Sequence, residues 1–266
     1  MKKVTAIYFS PTHTSKKIAK AFCRGTGLPF TEFDFTLPEG RKKEIELSSE
    51  DLVVLCRPVY GGHTVRIFME MMKSVVGSGQ PAVLISVYGN RHYDMALKDL
   101  YSAATAGGLR PIAWGRFIGE HSFNSLIQHG RPNEEDLERA FEFGKLTAER
   151  SESAVMLTED EVPGREVDYA MIGMHGKRLT RMSPNHPIPS EDCIHCGTCA
   201  AVCPMGIIDP LDSGNIRGAC LKCNACVKSC PVGAMAFPQE DFRIVREDCM
   251  QEFGRDVHVP EFRVNG

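Results

Sequence analysis

Eight of the eleven cysteines fall into two short runs: Cys193, Cys196, Cys199 and Cys203 before Pro204, and Cys220, Cys223, Cys226 and Cys230 before Pro231. Both have the spacing C-x2-C-x2-C-x3-C-P, which brings four soft thiolates around a 4Fe-4S cluster. The chemistry implied is electron transfer. Zinc sites use two C-x2-C pairs separated by a loop, whereas here four cysteines share one eleven-residue run, twice over. Disulfide frameworks belong to secreted domains. The opening residues, Met-Lys-Lys-Val-Thr-Ala-Ile-Tyr-Phe, pass directly into a strand-like run too short for a secretory signal. No stretch approaches a membrane span, so the expectation is a reduced, cytoplasmic protein with no membrane partner.

In the bacterial two-cluster pattern the fourth cysteine of a run crosses to the other cluster. On that rule Cys193, Cys196, Cys199 and Cys230 hold one 4Fe-4S cluster, and Cys220, Cys223, Cys226 and Cys203 the second. Pro204 and Pro231 turn the chain away after the fourth ligand. Gly197, Thr198, Asn224 and Ala225 are small enough for the backbone to wrap closely, turning amides toward sulfur. Met205 to Ile208 and Val232 to Met235 also correspond, so the repeat includes an apolar lid.

These two runs occupy a small part of 266 residues, which leaves room for a medium-sized domain besides. Net charge is only -3, with both signs dispersed, and nucleic acid is excluded as a partner for want of a basic patch. Around the cysteines, Glu191, Asp192, Asp209, Asp212 and Glu240 stand against Arg217, Lys222 and Lys228, which suits a redox partner protein with a basic docking face.

Residues 1–150 must supply the remaining frame. Apolar runs at Val4 to Phe9, Leu52 to Cys56, Ala82 to Val87 and Pro111 to Phe117, with a shorter one at Phe30 to Phe35, alternate with amphipathic helical patterns. Asn133 before Glu134, Glu135 and Asp136 predicts a capped helix start. Such alternation implies a parallel sheet covered on both faces, with ligands bound beyond the carboxyl ends of the strands.

Three loops there draw the eye. Ser10-Pro11-Thr12-His13-Thr14-Ser15 opens a helix with hydroxyls and amides that can surround a phosphate, although such hydroxyls also serve merely as caps. Pro58-Val59-Tyr60-Gly61-Gly62 and Tyr88-Gly89-Asn90-Arg91-His92-Tyr93 bring glycines for close approach and tyrosines able to stack on a flat ring. The dinucleotide and triphosphate fingerprints are absent from these turns.

Taken together, the three loops resemble the FMN-binding loops of the flavodoxin-like family, over about residues 1–150. With the cysteine runs at about 186–240, the chain resembles the flavodoxin-ferredoxin fusion proteins of anaerobic bacteria and archaea. The resemblance implies a flavodoxin-like doubly wound α/β sheet of strand order 2-1-3-4-5, then a small α+β two-cluster ferredoxin domain. Residues 151–185 read as a linker, with a short helix around Tyr169 to Gly176, and 241–266 as a tail; Met171, Met174 and Met182 read as flexible core filling, with a cover over the clusters as the alternative.

By the same resemblance FMN joins the two 4Fe-4S clusters as cofactor. Ser10, Pro11, Thr12, His13, Thr14 and Ser15 would take its phosphate, Pro58, Val59, Tyr60, Gly61 and Gly62 its reactive edge, and Gly89, Asn90 and Arg91 its pyrimidine side, with Tyr88 or Tyr93 stacking. His13 stands where the family has glycine, so either the turn adjusts or the phosphate grip changes. No residue is assigned a catalytic role.

Arg57 reads as a solvated strand end, as does Arg91, whose sharper alternative lies beside the flavin N1. Asp94 reads as a helix cap. The long stretch from Phe117 to Pro132 is expected between flavin and cluster segment, with Glu120 and His121 as a proton relay or as a plain docking surface. Cys23 ends a helix, Cys56 is buried in a strand, and Cys249 sits in a charged tail.

Two functions remain. One is an electron carrier converting between one- and two-electron steps. The other is a flavin-dependent reductase passing ferredoxin-level electrons to an organic or cobalt-bound acceptor. The lack of a separate substrate insert favours the carrier; partners are redox proteins, with a homodimer left open.

Overall fold

The computed structural model describes residues 1–166, 186–237, 243, 246, 247, 249–251 and 254–266. The expected helix at 169–176 and Met171, Met174 and Met182 lie outside the described residues.

Apolar runs form the sheet: β1 (Lys3–Tyr8), β2 (Phe30–Asp34), β3 (Asp51–Tyr60), β5 (Pro81–Tyr88) and β6 (Arg110–Ile118). These five are parallel in the order β2-β1-β3-β5-β6, with β4 (His63–Thr64) folding back antiparallel on β3. Setting β4 aside, the order is the 2-1-3-4-5 of flavodoxin-like sheets.

Because successive strand residues point to opposite faces, each strand feeds two cores. Val4, Ala6, Tyr8, Val54, Ile85 and Phe117 pack under α1 (Thr14–Gly25) and α4 (Glu134–Arg150). Ile7, Phe9, Val53, Leu55 and Leu84 pack under α2 (Arg66–Met72) and α3 (Ala96–Ala106).

The α1 and α4 backbones touch through two glycines: a Cβ on Gly144 would lie 2.0 Å from the Phe22 carbonyl oxygen, and one on Gly25 2.0 Å from that of Phe141. At the start of α4, Asn133 accepts from the Asp136 amide while Asp136 accepts from the Asn133 amide, each at 3.0 Å. This reciprocal cap satisfies two end donors. Cys23 and Cys56 are buried, and burial pushes both thiols up, Cys23 to about 12.

The final residues, which read as a tail, return to the sheet. β9 (Glu261–Val264) pairs antiparallel with β6, from Arg116↔Glu261 to Ala113↔Val264. Phe262 stacks on Phe143 at 4.7 Å, and Val264 is buried in the first core. Only two apolar residues, separated by Arg263, mark this strand, too few for a readable period.

The cysteine runs fold as a small unit of its own. β7 (Ile188–Pro189) pairs with β8 (Met235–Ala236), and α5 (Thr198–Ala201) and α6 (Ala225–Lys228) are single helical turns inside the two runs.

Candidate redox site

Left-handed backbone recurs at equivalent places of the two runs. It occurs at His195 (φ 53°) and Lys222 (φ 58°), at Gly197 (φ 73°) and Asn224 (φ 61°), and at Gly206 (φ 61°) and Gly233 (φ 67°). The sequence repeat is therefore a repeat of conformation. These turns curl the chain around each cysteine, so that amides rather than side chains face sulfur.

Two cavities result. One is lined by Cys193, Cys196, Cys199 and Cys230; the other is lined by Cys203, Cys220, Cys223 and Cys226. Each thus gathers three cysteines of one run and the last of the other. Among the described residues no three His, Cys, Asp or Glu side chains converge on a single-ion site. The donor set is a pair of four-thiol cages.

Burial raises Cys226 to about 12, and the neighbouring sulfurs of Cys223, Cys220 and Cys203 push it the same way. Four crowded thiols favour ionisation only if a cationic centre shares the cage, as iron in a cluster would. In the other cage the Thr198 hydroxyl and amide lower Cys196. Burial works against the charge of Cys230, yet the amides of Met235, Val232, Ala234 and Gly233 outweigh it and hold that thiol below its ordinary value.

The two cages face different surroundings. Cys196 is exposed, with Ile194 beside it 60% exposed and Val232 46%. This is the outer cage. Around the inner cage, Arg41 donates to the Pro204 carbonyl while also bonding the Phe35 and Thr36 carbonyls at 2.8 and 2.6 Å. Leu221 packs against the second core. Burial pushes the Tyr60 hydroxyl well above its usual value, and the Cys223 sulfur adds to it. The inner cage therefore sits by the second core, against which Val59 and Tyr60 of the second loop also pack.

The long connection after β6 closes the other side. Lys228 reaches Glu120 Oε1 at 2.6 Å and the His121 carbonyl at 3.1 Å, and Phe237 packs against Phe123. His121 is pressed on Gly89, where a Cβ would meet its Cδ2 at 2.7 Å. Burial first, then the charges of Lys228 and Arg91, lower His121 to about 4. A ring held neutral there suits packing better than a proton relay.

At the first loop His13 keeps the left-handed conformation (φ 65°) and caps α1, so the turn has not adjusted to the imidazole. Ser10 accepts the Lys16 amide at 2.9 Å and donates its own amide to Thr36 at 2.8 Å. Ser15 Oγ is buried without a partner among the described residues. A helix amino end with an unanswered hydroxyl is a donor set that fits a phosphate. Pro11 is buried, while Thr12 and Thr14 are partly exposed around the same turn.

The second and third loops are knotted together. Gly62 (φ 84°) accepts the Met95 amide at 2.9 Å, and a Cβ there would lie 2.5 Å from Asp94 Oδ2. Asp94, read as a cap, is instead fully buried and takes Arg91 and Arg165 as partners. Arg91 is thus engaged by a carboxylate. Tyr88 and Tyr93 meet edge to face at 5.9 Å, Arg116 covers Tyr93 at 4.6 Å, and Asn90 (φ 67°) donates to the Asp256 carbonyl at 3.0 Å. Tyr88 OH lies 3.3 Å from His258 Nδ1.

Residues 192–235 match the family model described as a 4Fe-4S dicluster domain. The chain joins a flavodoxin-like domain to a 4Fe-4S dicluster domain. It is an iron-sulfur redox protein. No curated protein matches the chain. Similar solved structures include a flavodoxin from the domain Archaea, at 14% identity over 56% of this chain and 99% of that one, with a TM-score of 0.40. The flavodiiron protein from Giardia intestinalis is 19% identical over 57% of this chain and 37% of that one, with a TM-score of 0.41. These likenesses concern the fold and add nothing to the strand order.

The roles of three residues escaped the sequence. Arg41, from the flavodoxin-like side, and Lys228, from the dicluster side, tie the two together, yet nothing in a basic residue forecasts a partner far away in the chain. Arg57, read as a solvated rim, is fully buried; its place at the end of an apolar run, followed by Pro58, was the available signal.

Proposed function

We propose that the chain is an electron-transfer protein in which two 4Fe-4S clusters and one FMN lie in series, serving as a converter between one-electron and two-electron chemistry. The outer cage, Cys193, Cys196, Cys199 and Cys230, would hold the cluster that meets redox partner proteins. The inner cage, Cys203, Cys220, Cys223 and Cys226, would hold the one nearest the flavin. FMN would be held by Ser10 to Ser15 at its phosphate and by the Pro58–Gly62 and Tyr88–Tyr93 loops around its ring. When bound, the flavin supplies storage for one or two electrons.

The observation that carries this reading is the seat of the inner cage near the carboxyl ends of the strands, through Arg41 on Pro204 and through Leu221 on the second core, against which Val59 and Tyr60 also pack. Ligands in such sheets bind at those ends. An exposed outer cluster would also suit a reducing compartment such as the cytoplasm.

The test is iron, acid-labile sulfide and flavin per chain after anaerobic purification, with spectra before and after dithionite. About eight iron, eight sulfide and one FMN are expected. Full clusters without flavin, even after adding FMN, would reduce the flavodoxin-like domain to a docking module.

A further inference from the structure

Arg57 stands at the end of β3, where the chain leaves for the Pro58–Gly62 loop, and among the described residues it is the largest fully buried side chain, at 0% exposure. Among the described residues its guanidinium bonds only carbonyl oxygens: that of Pro58 at 3.4 Å, and that of Ala96, in the first turn of α3 just beyond the Tyr88–Tyr93 loop. It is therefore wedged between the two loops that would carry the flavin ring.

Among the described residues no carboxylate forms an ion pair with Arg57. Asp99, whose charge is felt there, is engaged by His63 Nδ1 at 2.9 Å and by the Thr64 amide at 2.7 Å. Among the described residues Nε of Arg57 has no partner, nor does Oγ of Ser86, its fully buried neighbour in the β3–β5 register. Burial lowers its pKa only to about 9, so the charge persists at neutral pH.

A buried, unpaired cation is costly, and its field is poorly screened in a low-dielectric interior. Such a cost is retained where the charge acts on something. We propose that Arg57 is a positioning and tuning residue that stabilises the negative charge gained by the flavin on reduction, and so raises the flavin potential. The inference rests on the FMN reading above. A flavin held by these loops would gain electron density on reduction, which a fixed cation beneath the loops attracts.

The experiment uses the full chain, loaded with FMN and iron, in wild-type form and as Arg57→Met, Arg57→Gln and Arg57→Lys. Flavin and cluster potentials are followed together by visible spectra and electron paramagnetic resonance. Both neutral variants are expected to weaken binding of reduced FMN about tenfold more than that of oxidised FMN, which for a two-electron couple is a fall of about 30 mV. Lysine should restore most of it, with cluster potentials unchanged throughout. A flavin potential unmoved in both neutral variants overturns the proposal. So does a shift in Arg57→Met that Arg57→Gln, which keeps hydrogen-bond donors, does not share, because packing rather than charge would then be responsible. Equal shifts in flavin and clusters would also overturn it. A wild-type chain that takes up no FMN overturns both this inference and the reading beneath it.

Discussion

Lys228 Nζ lies 2.6 Å from Glu120 Oε1, joining the helical turn inside the second cysteine run to the loop that leaves β6. The two side chains are 24% and 19% exposed, so solvent screens them only in part. Lys228→Ala and Glu120→Gln are each expected to cost about 1 kcal/mol of stability. The double variant should cost less than the sum of the singles, measured as a double-mutant cycle by denaturant unfolding of the loaded chain. Strict additivity would mean that the contact does not couple the domains.

Acid sensitivity should arise at the same joint. Burial opposes the Glu120 charge, but the Lys228 hydrogen bond and the Gly130 amide outweigh it and lower its pKa, while burial lowers His121 to about 4. Both groups have folded values below their unfolded ones, so the unfolded chain binds more protons and stability falls as pH falls. For His121 the window runs from about 6.5 down to about 4. His121→Phe should flatten that part of the curve in thermal melts taken from pH 7 to 4; an unchanged slope would place the sensitivity elsewhere.

The two cages should empty independently. Cys196→Ser is expected to lower iron from about eight to about four per chain while leaving the inner cluster reducible by dithionite. Iron that stays at its full value would show that Cys196 is not a ligand.

At His13 the left-handed turn favours glycine. His13→Gly should leave the fold intact or up to about 1 kcal/mol more stable, and should weaken FMN if the imidazole donates to the phosphate. Titration of FMN fluorescence measures this. Equal affinity would confine His13 to a backbone role.

Gly62→Ala meets two obstacles, a φ of 84° and a Cβ 2.5 Å from Asp94 Oδ2. Gly79, at φ 93° with nothing within 4 Å of a Cβ, isolates the first. Gly79→Ala should cost about 1–2 kcal/mol, and Gly62→Ala about 1–3 kcal/mol more by overpacking, with FMN affinity lost only in the latter. Equal costs in thermal unfolding would mean that Asp94 yields freely.

Much of the frame was legible because its signals are local. Near-continuous apolar runs such as Leu52 to Cys56 can only be strands covered on both sides, and Asn133 with Asp136 forms the cap that its residue types announce. The unread elements depend on distant partners. Glu261 to Val264 becomes a strand because β6 offers an open edge and Phe143 a ring for Phe262, neither visible from four residues.

The same division holds at the site. Spacing by itself determined the chemistry of the cysteines, because four thiols in eleven residues followed by proline suit a cluster and little else, and it determined which turns could approach a phosphate or a ring. Only the tertiary structure decided that the inner cage sits by the second core, that Asp94 takes up Arg91, and that Arg57 is buried rather than solvated. Ligand spacing is carried by covalent connectivity and short turns, whereas the surroundings of a charge are set by whichever elements pack against it, and these come from remote parts of the chain.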